Sequence, residues 1–492
     1  MAIEPYSGQE LDTSTENGGG VSVKVINRGG LDQFLARSRS IQERLLSIPV
    51  LDRIQLAGRL GDKLTERIDQ GDLQELMVDL SDSTGYSERL IEGELAFIPS
   101  FLSSENMARC FSASLVGAPS SLDGFTEINC NESIWHLPAG PSMIVSSGNS
   151  IIPTVVPTMI SLLSGNATFL KPSFSNCAGV VEIFRTLDRL PAGIARDAMR
   201  EALAISYYPH DSPVLKYALG QAKFGVINFW GGGTARASIK RLVTENPNHP
   251  RFFVNGPMTG AILIDTESAS NHNAESLALN IALYDQQLCS SPTIVVFTGE
   301  VDRAFEFAKG VAANMEGIGS TMPMKEDVVD DYSLHGARRY LHITGSRILH
   351  SSSLANPWTI VISDQRSILD EMVLRFPTMN FHGRKRFIEI IAVDSLETGI
   401  ELLDVLPKSK AFEGIDRVQT VGIALAESKM EQALRELALK GVFRTVPLRG
   451  MAMRSSIEPY DGTALPTLFT YTSYVRKKDI FPSGQINDVF QA

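Results

Sequence analysis

The chain has 492 residues, 43% apolar and 21% charged, a size that calls for two or three packed domains and a balance that excludes extensive disorder. A net charge of −11 at pH 7 excludes nucleic-acid binding through a global positive field, so any anionic ligand must meet local cations. Cys110, Cys130, Cys177 and Cys289 show no C-x-x-C pairing and no zinc spacing, which predicts neither a disulfide framework nor a metal site and fits a reducing cytoplasm. The first twenty residues lack the basic start and apolar middle of an export signal. The most apolar stretch, Ile151 to Leu163, falls short of the ~20 residues needed to span a bilayer and contains Pro153 and Pro157, so no membrane span is expected.

In chain order, Val21 to Val25 alternates as a short strand. Leu51, Ile54, Ala57, Leu60, Leu64 and Ile68 recur at spacings of three and four, which predicts one face of an amphipathic helix. Helical patterns continue through Leu73 to Met77 and Ser87 to Phe97. From Cys110 the turn clusters at Ala118 to Gly124 and Asn129 to Ser133 predict an antiparallel hairpin. A buried strand at Ser142 to Ser146, a helix closed by Gly165 and a strand at Ala167 to Leu170 make a right-handed parallel unit. Helices at 178–187 and 192–203 and a strand at Phe224 to Phe229 extend it. A second strand and helix rhythm runs from Ala261 to Val446. Together these predict an α/β fold with two parallel-sheet domains, while the aromatic strand at Leu468 to Val475 stands apart.

Three stretches can carry chemistry. Cys289 lies between the polar turn Tyr284 to Gln287 and the β-branched run Thr293 to Val296, a place where backbone N–H groups can stabilise a thiolate; an inert structural thiol is the alternative. Asn149 and Lys171 follow successive parallel strands and would share a carboxyl edge, where open α/β sheets bind ligands. A plain turn and a solvated charge are the alternatives there. Gly231, Gly232, Gly233 and Thr234 join a strand to a helix, as in loops that approach a phosphate, although no full G-x-G-x-x-G is present and a flexible loop reads equally well.

In the order Asn149, GNATFLKPS, WGGGTA and YDQQLCSSP, the chain resembles the aldehyde dehydrogenase superfamily, and most closely its acyl-CoA reductase branch of LuxC type, over roughly residues 50 to 480. The 22 residues from Asn149 to Lys171 and the 140 from Asn149 to Cys289 are close to that superfamily's spacing. The resemblance implies an aldehyde dehydrogenase-like fold: a nucleotide-binding domain at 1–109 and 134–252, a catalytic cysteine domain at 253–446, and a β oligomerisation appendage at 110–133 and 464–492. It implies Cys289 as nucleophile, Asn149 with the Cys289 N–H as oxyanion donors, and Lys171, Ser173, Gly231, Gly232, Gly233 and Thr234 as cofactor contacts. It also implies a thiol lowered in pKa by N–H donors.

Where oxidising members carry a glutamate that activates water, this chain has Phe253, which suits reduction of an acyl thioester rather than hydrolysis. Where NAD-using members often carry an acid, it has Phe174, which leaves NADPH admissible. The implied reaction is NADPH-dependent reduction of an acyl-CoA, or of a carrier-bound acyl thioester, to the aldehyde by a homo-oligomer, with an acyl-activating enzyme as a further partner. Reduction of an acyl phosphate and a non-catalytic acyl-transfer subunit are the alternatives. Trp230 and the pair Phe252-Phe253 are candidates for lining an acyl tunnel; His136, Tyr284 and Asp285 are taken as structural; neither Glu389 nor His382 receives the nicotinamide-ribose role.

Overall fold

The computed structural model describes residues 4–18, 21–324, 328–353, 355–376 and 386–477. The chain enters through β1 (Tyr6–Ser7) and a hairpin of β2 (Thr13–Gly18) and β3 (Val21–Ile26), then forms α1 (Arg28–Leu46), α2 (Val50–Asp69), α3 (Gln74–Thr84), α4 (Glu88–Leu102) and α5 (Ser104–Ser114). The helix α2 buries Ile54, Ala57, Leu60 and Leu64 of the expected face, with Ile68 half-buried. Leu51 is exposed, while Arg53 and Arg67 are buried beside Ile54, Ala57, Leu60 and Leu64. Burial is offset by hydrogen bonds, for Arg53 to the carbonyls of Ile48 and Leu163 at 3.1 and 2.6 Å and for the Arg67 Nη atoms to Glu182 and Thr186, each at 2.6 Å, while Arg67 Nε lies 3.9 Å from Asp72.

The predicted hairpin starts later than Cys110. Cys110 and Phe111 are buried within α5, and the paired strands are β4 (Thr126–Asn129) and β5 (Glu132–Pro138). There follow β6 (Ser142–Val145), α6 (Ile152–Leu163), β7 (Thr168–Lys171), α7 (Cys177–Arg185), α8 (Ile194–Glu201), β8 (Leu203–Ile205), α9 (Pro213–Gly220), β9 (Val226–Trp230), α10 (Gly233–Thr244) and β10 (Arg251–Asn255). The first sheet has the order β1-β8-β7-β6-β9-β10, parallel except for β1. From β6 the chain winds outward through β7 and β8, then returns to the other side through β9 and β10. The crevice between the carboxyl ends of β6 and β9 is therefore a topological switch point, the usual ligand position in such sheets.

A second sheet is built from β11 (Met258–Asp265), α11 (Asn271–Ala282), β12 (Pro292–Thr298), α12 (Val301–Thr321), α13 (Val328–Ile343), β13 (Arg347–His350), β14 (Thr359–Asp364), α14 (Leu369–Arg375), β15 (Phe387–Val393), α15 (Leu396–Val405), β16 (Arg417–Ala424), α16 (Glu427–Leu439) and β17 (Arg444–Pro447). Its order is β13-β14-β15-β12-β11-β16-β17, parallel except for β13. Along β11, Ala261 and Leu263 join the core on one face while Ile262 and Ile264 join the core on the other. Strands covered by helices on both faces must be apolar throughout, which is why these read as unbroken hydrophobic runs.

After α17 (Leu465–Leu468), the aromatic strand β18 (Thr470–Arg476) pairs antiparallel with β5 in a third, three-stranded sheet. That sheet includes β5 as far as Pro138, and β10 carries the first sheet to Asn255. Residues 478–492 and His382 lie outside the described residues. No helix among the described residues is long and apolar enough to cross a membrane.

Candidate active site

Only Gly256 and Pro257 separate β10 from β11, so the carboxyl edge of the first sheet is carried against the start of the second. An ion pair of 2.5 Å between Arg236 on α10 and Asp416 ahead of β16 ties the two halves alongside. Between them lies a cavity of about 700 Å³ lined by Cys289, Asn149, Gly231, Gly232 and Trp230 among others. It thus brings together the nucleophile candidate, the asparagine turn and two of the glycines.

Cys289 follows α11 on a turn of unusual backbone. Tyr284, Asp285 and Gln286 are three consecutive non-glycine residues with positive φ, at 53°, 47° and 63°. Such residues are disfavoured by about 1–2 kcal/mol each and need support from tertiary contacts. The support is buried: the Arg386 guanidinium pairs with Asp285 at 3.0 Å, and Gln286 Nε2 donates to the carbonyls of Pro292 and Phe387 at 2.8 and 3.2 Å. Tyr284 packs edge-on against Tyr86, with ring centroids 5.5 Å apart. Tyr284 and Asp285 are thus structural supports of the turn.

Asn149 reaches this turn directly. Its Nδ2 donates to the carbonyl of Gln287 at 2.9 Å, and its Oδ1 accepts from Ser147 Oγ at 2.8 Å, which fixes the amide orientation. Tyr86 OH donates to the Asn149 carbonyl at 3.1 Å and bonds Gln287 Oε1 at 3.2 Å. The next residue, Ser150, hydrogen-bonds Glu94, a buried carboxyl that also accepts from the Ile151 N–H at 2.7 Å at the start of α6. Burial raises the Glu94 carboxyl above its ordinary range, against the opposing hydrogen bonds.

Around Sγ the partners come from the far end of the chain. Gln419 Nε2, on β16, lies 3.3 Å from Cys289 Sγ and also donates to Asp461. Arg454 Nη2 donates to Gln419 Oε1 at 3.0 Å. Asp461 in turn accepts from Asn255 Nδ2 at 3.1 Å and the Gly256 N–H at 3.0 Å. The thiol is not lowered as expected. Burial pushes it up; the Arg454 charge and the Gln419 hydrogen bond act the other way, and Asp461 adds to the rise. Desolvation outweighs the donors because the thiol lies in a largely apolar cavity.

Lys171 and Ser173 stand outside the cavity, at the end of β7, next to the Asn149 turn. A Cβ on Gly148 would come within 3.2 Å of Ser173 Oγ, so the two turns touch. Lys171 is buried with its ammonium 5.3 Å from the Tyr207 ring centroid; burial lowers it to about 8, with Cys177 opposing. Phe174 is 42% exposed and meets Tyr207 edge-on. Gly231 (φ 151°) and Gly233 (φ 58°) need glycine's freedom, a Cβ on Gly232 would strike Pro257 at 2.5 Å, and the start of α10 carries no side-chain cap. Thr234 is exposed in the first turn of that helix. The helix start at Gly233 thus offers N–H groups without a side-chain cap after a bare glycine turn, and Lys171 stands two strands away at the end of β7.

Several expectations shift. Of β10 it is Asn255, not Phe253, whose side chain belongs to the cavity wall; Phe253 instead lies under the Arg251 guanidinium at 5.2 Å, and the pair Phe252-Phe253 is absent from the lining, whereas Trp230 is in it. Glu389 is buried away from the cavity, accepting from Ser367 Oγ at 2.6 Å and the Ile368 N–H at 2.8 Å. His136 is held at both ring nitrogens, each 3.0 Å from a partner, Val116 O and Thr472 Oγ1. Gln419, Arg454, Tyr460, Asp461 and Glu94 escaped sequence reading because nothing local marks them; the turn-forming pair Asp461-Gly462 was the one available signal.

The profile of the acyl-CoA reductase (LuxC) family matches residues 47–471. Among curated relatives, the long-chain acyl-protein thioester reductase of Aliivibrio fischeri is 25% identical over 313 residues, 63% of this chain and 58% of that protein, and its counterpart in Vibrio harveyi is 22% identical over 231 residues, 46% of each. The chain thus matches about half of the length of these relatives. Solved structures of like fold include methylmalonate-semialdehyde dehydrogenase from Oceanimonas doudoroffii, at TM-score 0.67 and 13% identity over 99% of both chains. A NAD-dependent benzaldehyde dehydrogenase from Corynebacterium glutamicum has TM-score 0.64 and 13% identity, covering 97% of this chain and 99% of its own. The fold is that of the aldehyde dehydrogenases, and the chain belongs to the LuxC family of acyl-CoA reductases.

Proposed function

We propose that this protein reduces an acyl thioester, on coenzyme A or on a carrier, to the aldehyde through an S-acyl intermediate on Cys289. The observation that carries the reading is the shared cavity: Cys289 and Asn149 open into a space of about 700 Å³ that has apolar walls including Leu90, Phe97, Phe101, Met258 and Leu283. Small-molecule sites span roughly 300–1,000 Å³ and are mostly apolar, so such a space has room for an acyl chain beside the reacting centre.

In the first step Cys289 Sγ attacks the thioester carbonyl and a carbon–sulfur bond forms. The oxyanion accepts from the Cys289 N–H and from the Asn149 amide, whose second N–H is not the one given to Gln287. Collapse expels the thiolate of the acyl donor. A nicotinamide cofactor, when bound, would supply the hydride that the acyl carbon accepts. The same donors hold the resulting oxyanion, and its collapse releases the aldehyde and regenerates the Cys289 thiolate. Residues 1–109 and 134–252 would bind that cofactor: Lys171, Ser173, Gly231, Gly232, Gly233 and Thr234 would meet its phosphates and ribose, and with Phe174 where an acid would repel a 2′-phosphate, NADPH is the form proposed. Residues 253–446 carry the nucleophile.

Direction follows from the carboxyls. Among the described residues Glu94 and Asp461 are the carboxyls in the cavity wall, and each is already hydrogen-bonded by protein donors, which supports reduction of the acyl enzyme over its hydrolysis. The three-stranded sheet ends in β18, whose Tyr471 and Tyr474 are 52% and 51% exposed, and an exposed edge of this kind supports at least a dimer, testable by light scattering.

The deciding experiment mixes the protein with a panel of acyl-CoAs, with and without NADPH, and follows cofactor oxidation and intact mass together. An acyl adduct that disappears on adding NADPH and is absent in Cys289→Ala is expected. An adduct indifferent to NADPH would mean an acyl-transfer subunit; no adduct from any thioester would sink the reading.

A further inference from the structure

The Gln419 amide is clamped at both ends. Its Oε1 accepts from Arg454 Nη2 at 3.0 Å and Thr420 Oγ1 at 3.1 Å; its Nε2 faces Asp461 Oδ1 and, at 3.3 Å, Cys289 Sγ. The two amide atoms differ little in size, so orientation is decided by partners. Turned over, the amide would set its oxygen against the Asp461 carboxylate and its N–H groups against the Arg454 guanidinium, two repulsive contacts in a site where Gln419 is 1% exposed. Asp461 cannot swing away to relieve this, because Asn255 Nδ2 and the Gly256 N–H hold its other oxygen. Arg454 is steadied in turn by the Tyr460 ring, 4.5 Å from its guanidinium carbon. One amide hydrogen is therefore committed to Asp461 and the second points at sulfur.

We propose that Gln419 donates a hydrogen bond to the Cys289 thiolate and fixes its rotamer, with Arg454 and Asp461 acting as positioning residues that hold the amide in the donating sense. The inference rests on Cys289 being the nucleophile and names the group that readies it. A thiolate accepts a hydrogen bond far better than a thiol, so the donor selects the ionised form. The charged and titratable groups around Sγ are Arg454, Asp461 and Tyr460, with the Arg444–Glu458 pair behind them. Arg454 favours the thiolate and Asp461 opposes it, which leaves the neutral amide to bias the balance without adding charge.

The test needs neither acyl donor nor cofactor. Alkylation of Cys289 by iodoacetamide is followed by peptide mass between about pH 6 and 11, a range carried above ordinary thiol ionisation because burial pushes this thiol up. A Cys130→Ser background removes the exposed thiol at that position. Gln419→Met keeps the side-chain length without the donor, and Gln419→Ala removes both. Losing a hydrogen bond to a charged group should slow alkylation about tenfold near neutral pH. The midpoint of the pH–rate curve should move upward, and the rates should converge at the alkaline end. Superposable curves for Gln419→Met and wild type would overturn the proposal, and so would slowing of equal size at every pH, which reports blocked access instead. Because no thioester enters the assay, a clear Gln419 dependence in a protein that never forms an acyl adduct would sink the reductase reading alone.

Discussion

The Asn149 side chain and the turn that bears Cys289 are joined by one hydrogen bond, from Asn149 Nδ2 to the carbonyl of Gln287 at 2.9 Å. The asparagine thus holds the Cys289 turn with one amide hydrogen, and in the proposed mechanism the other meets the developing oxyanion.

Asn149→Ala removes both hydrogens. It should lower the rate of acyl-enzyme formation by about 10²–10³, the usual loss for one preorganised oxyanion donor. Asn149→Asp keeps the shape but places an acceptor against both the Gln287 carbonyl and the oxyanion, so it should be no better than alanine. Rapid-quench measurement of the acylation step checks this; acylation by Asn149→Ala within a few-fold of wild type would remove the asparagine from the mechanism.

Lys171 yields a pH prediction. Burial depresses its ammonium to about 8, with Cys177 acting in the opposite direction. The charge that would meet a cofactor phosphate is lost as pH rises through about 8, so cofactor affinity should fall there, and Lys171→Met should have weak affinity with no such inflection. Stability runs the other way. The unfolded chain binds this proton more tightly than the folded one, so the lysine's contribution improves as pH rises from about 8 toward the ordinary lysine range near 10.5. Lys171→Met should therefore melt no lower than wild type at pH 7. Calorimetric titration and thermal melts across pH read the two effects separately.

Much of this site is legible in the chain because its parts are local. Parallel strands buried on both faces spell themselves as apolar runs, and the turns after Val145, Lys171 and Trp230 follow from where those runs stop. Register does the rest, since Val145 pairs with both Lys171 and Phe229. The three-residue strand β8 is too short to carry a period of its own, and without it α9 has no strand to mark its start. On α2 the exposed Leu51 and the buried Arg53 and Arg67 run against the hydropathy pattern, because a hydrogen-bonded buried arginine looks like a surface residue in sequence. Left-handed Tyr284, Asp285 and Gln286 contain no glycine to announce them; contacts from Arg386, a hundred residues away, impose that backbone. Gln419, Arg454 and Asp461 were illegible for the same reason, being assembled only by the closing of the chain.

Arg444 is the clamp on the loop that delivers Arg454. It is buried, pairs with Glu458 at 2.7 Å, and donates to the carbonyls of Gly450 and Met451, each at 2.8 Å, and of Met453. Arg444→Met leaves those acceptors and the carboxylate without their donor and should cost about 3 kcal/mol or more, in the range seen when one partner of a buried pair is removed. Chemical denaturation measures that loss. A variant that unfolds at wild-type denaturant concentration would show that the clamp is dispensable.

Gly260 tests how closely the nucleophile's position is set by the second sheet. On β11 its N–H donates to the Ser291 carbonyl at 3.1 Å, and a Cβ there would lie 2.3 Å from the carbonyl oxygen of Ser290, the residue after Cys289. The obstacle is backbone, so no side chain can rotate aside; either β11 slips or the turn moves by most of an ångström. A displacement of that size at a reacting centre costs on the order of 10²-fold in rate. The cores on both faces of β11 hold the strand in place, which leaves the Cys289 turn as the part that yields. Gly260→Ala should therefore fold, with cofactor affinity near wild type because the glycine turn and Lys171 belong to the other sheet, and should acylate about a hundredfold more slowly. Equal losses in cofactor affinity and acylation would instead point to damage spread across both sheets.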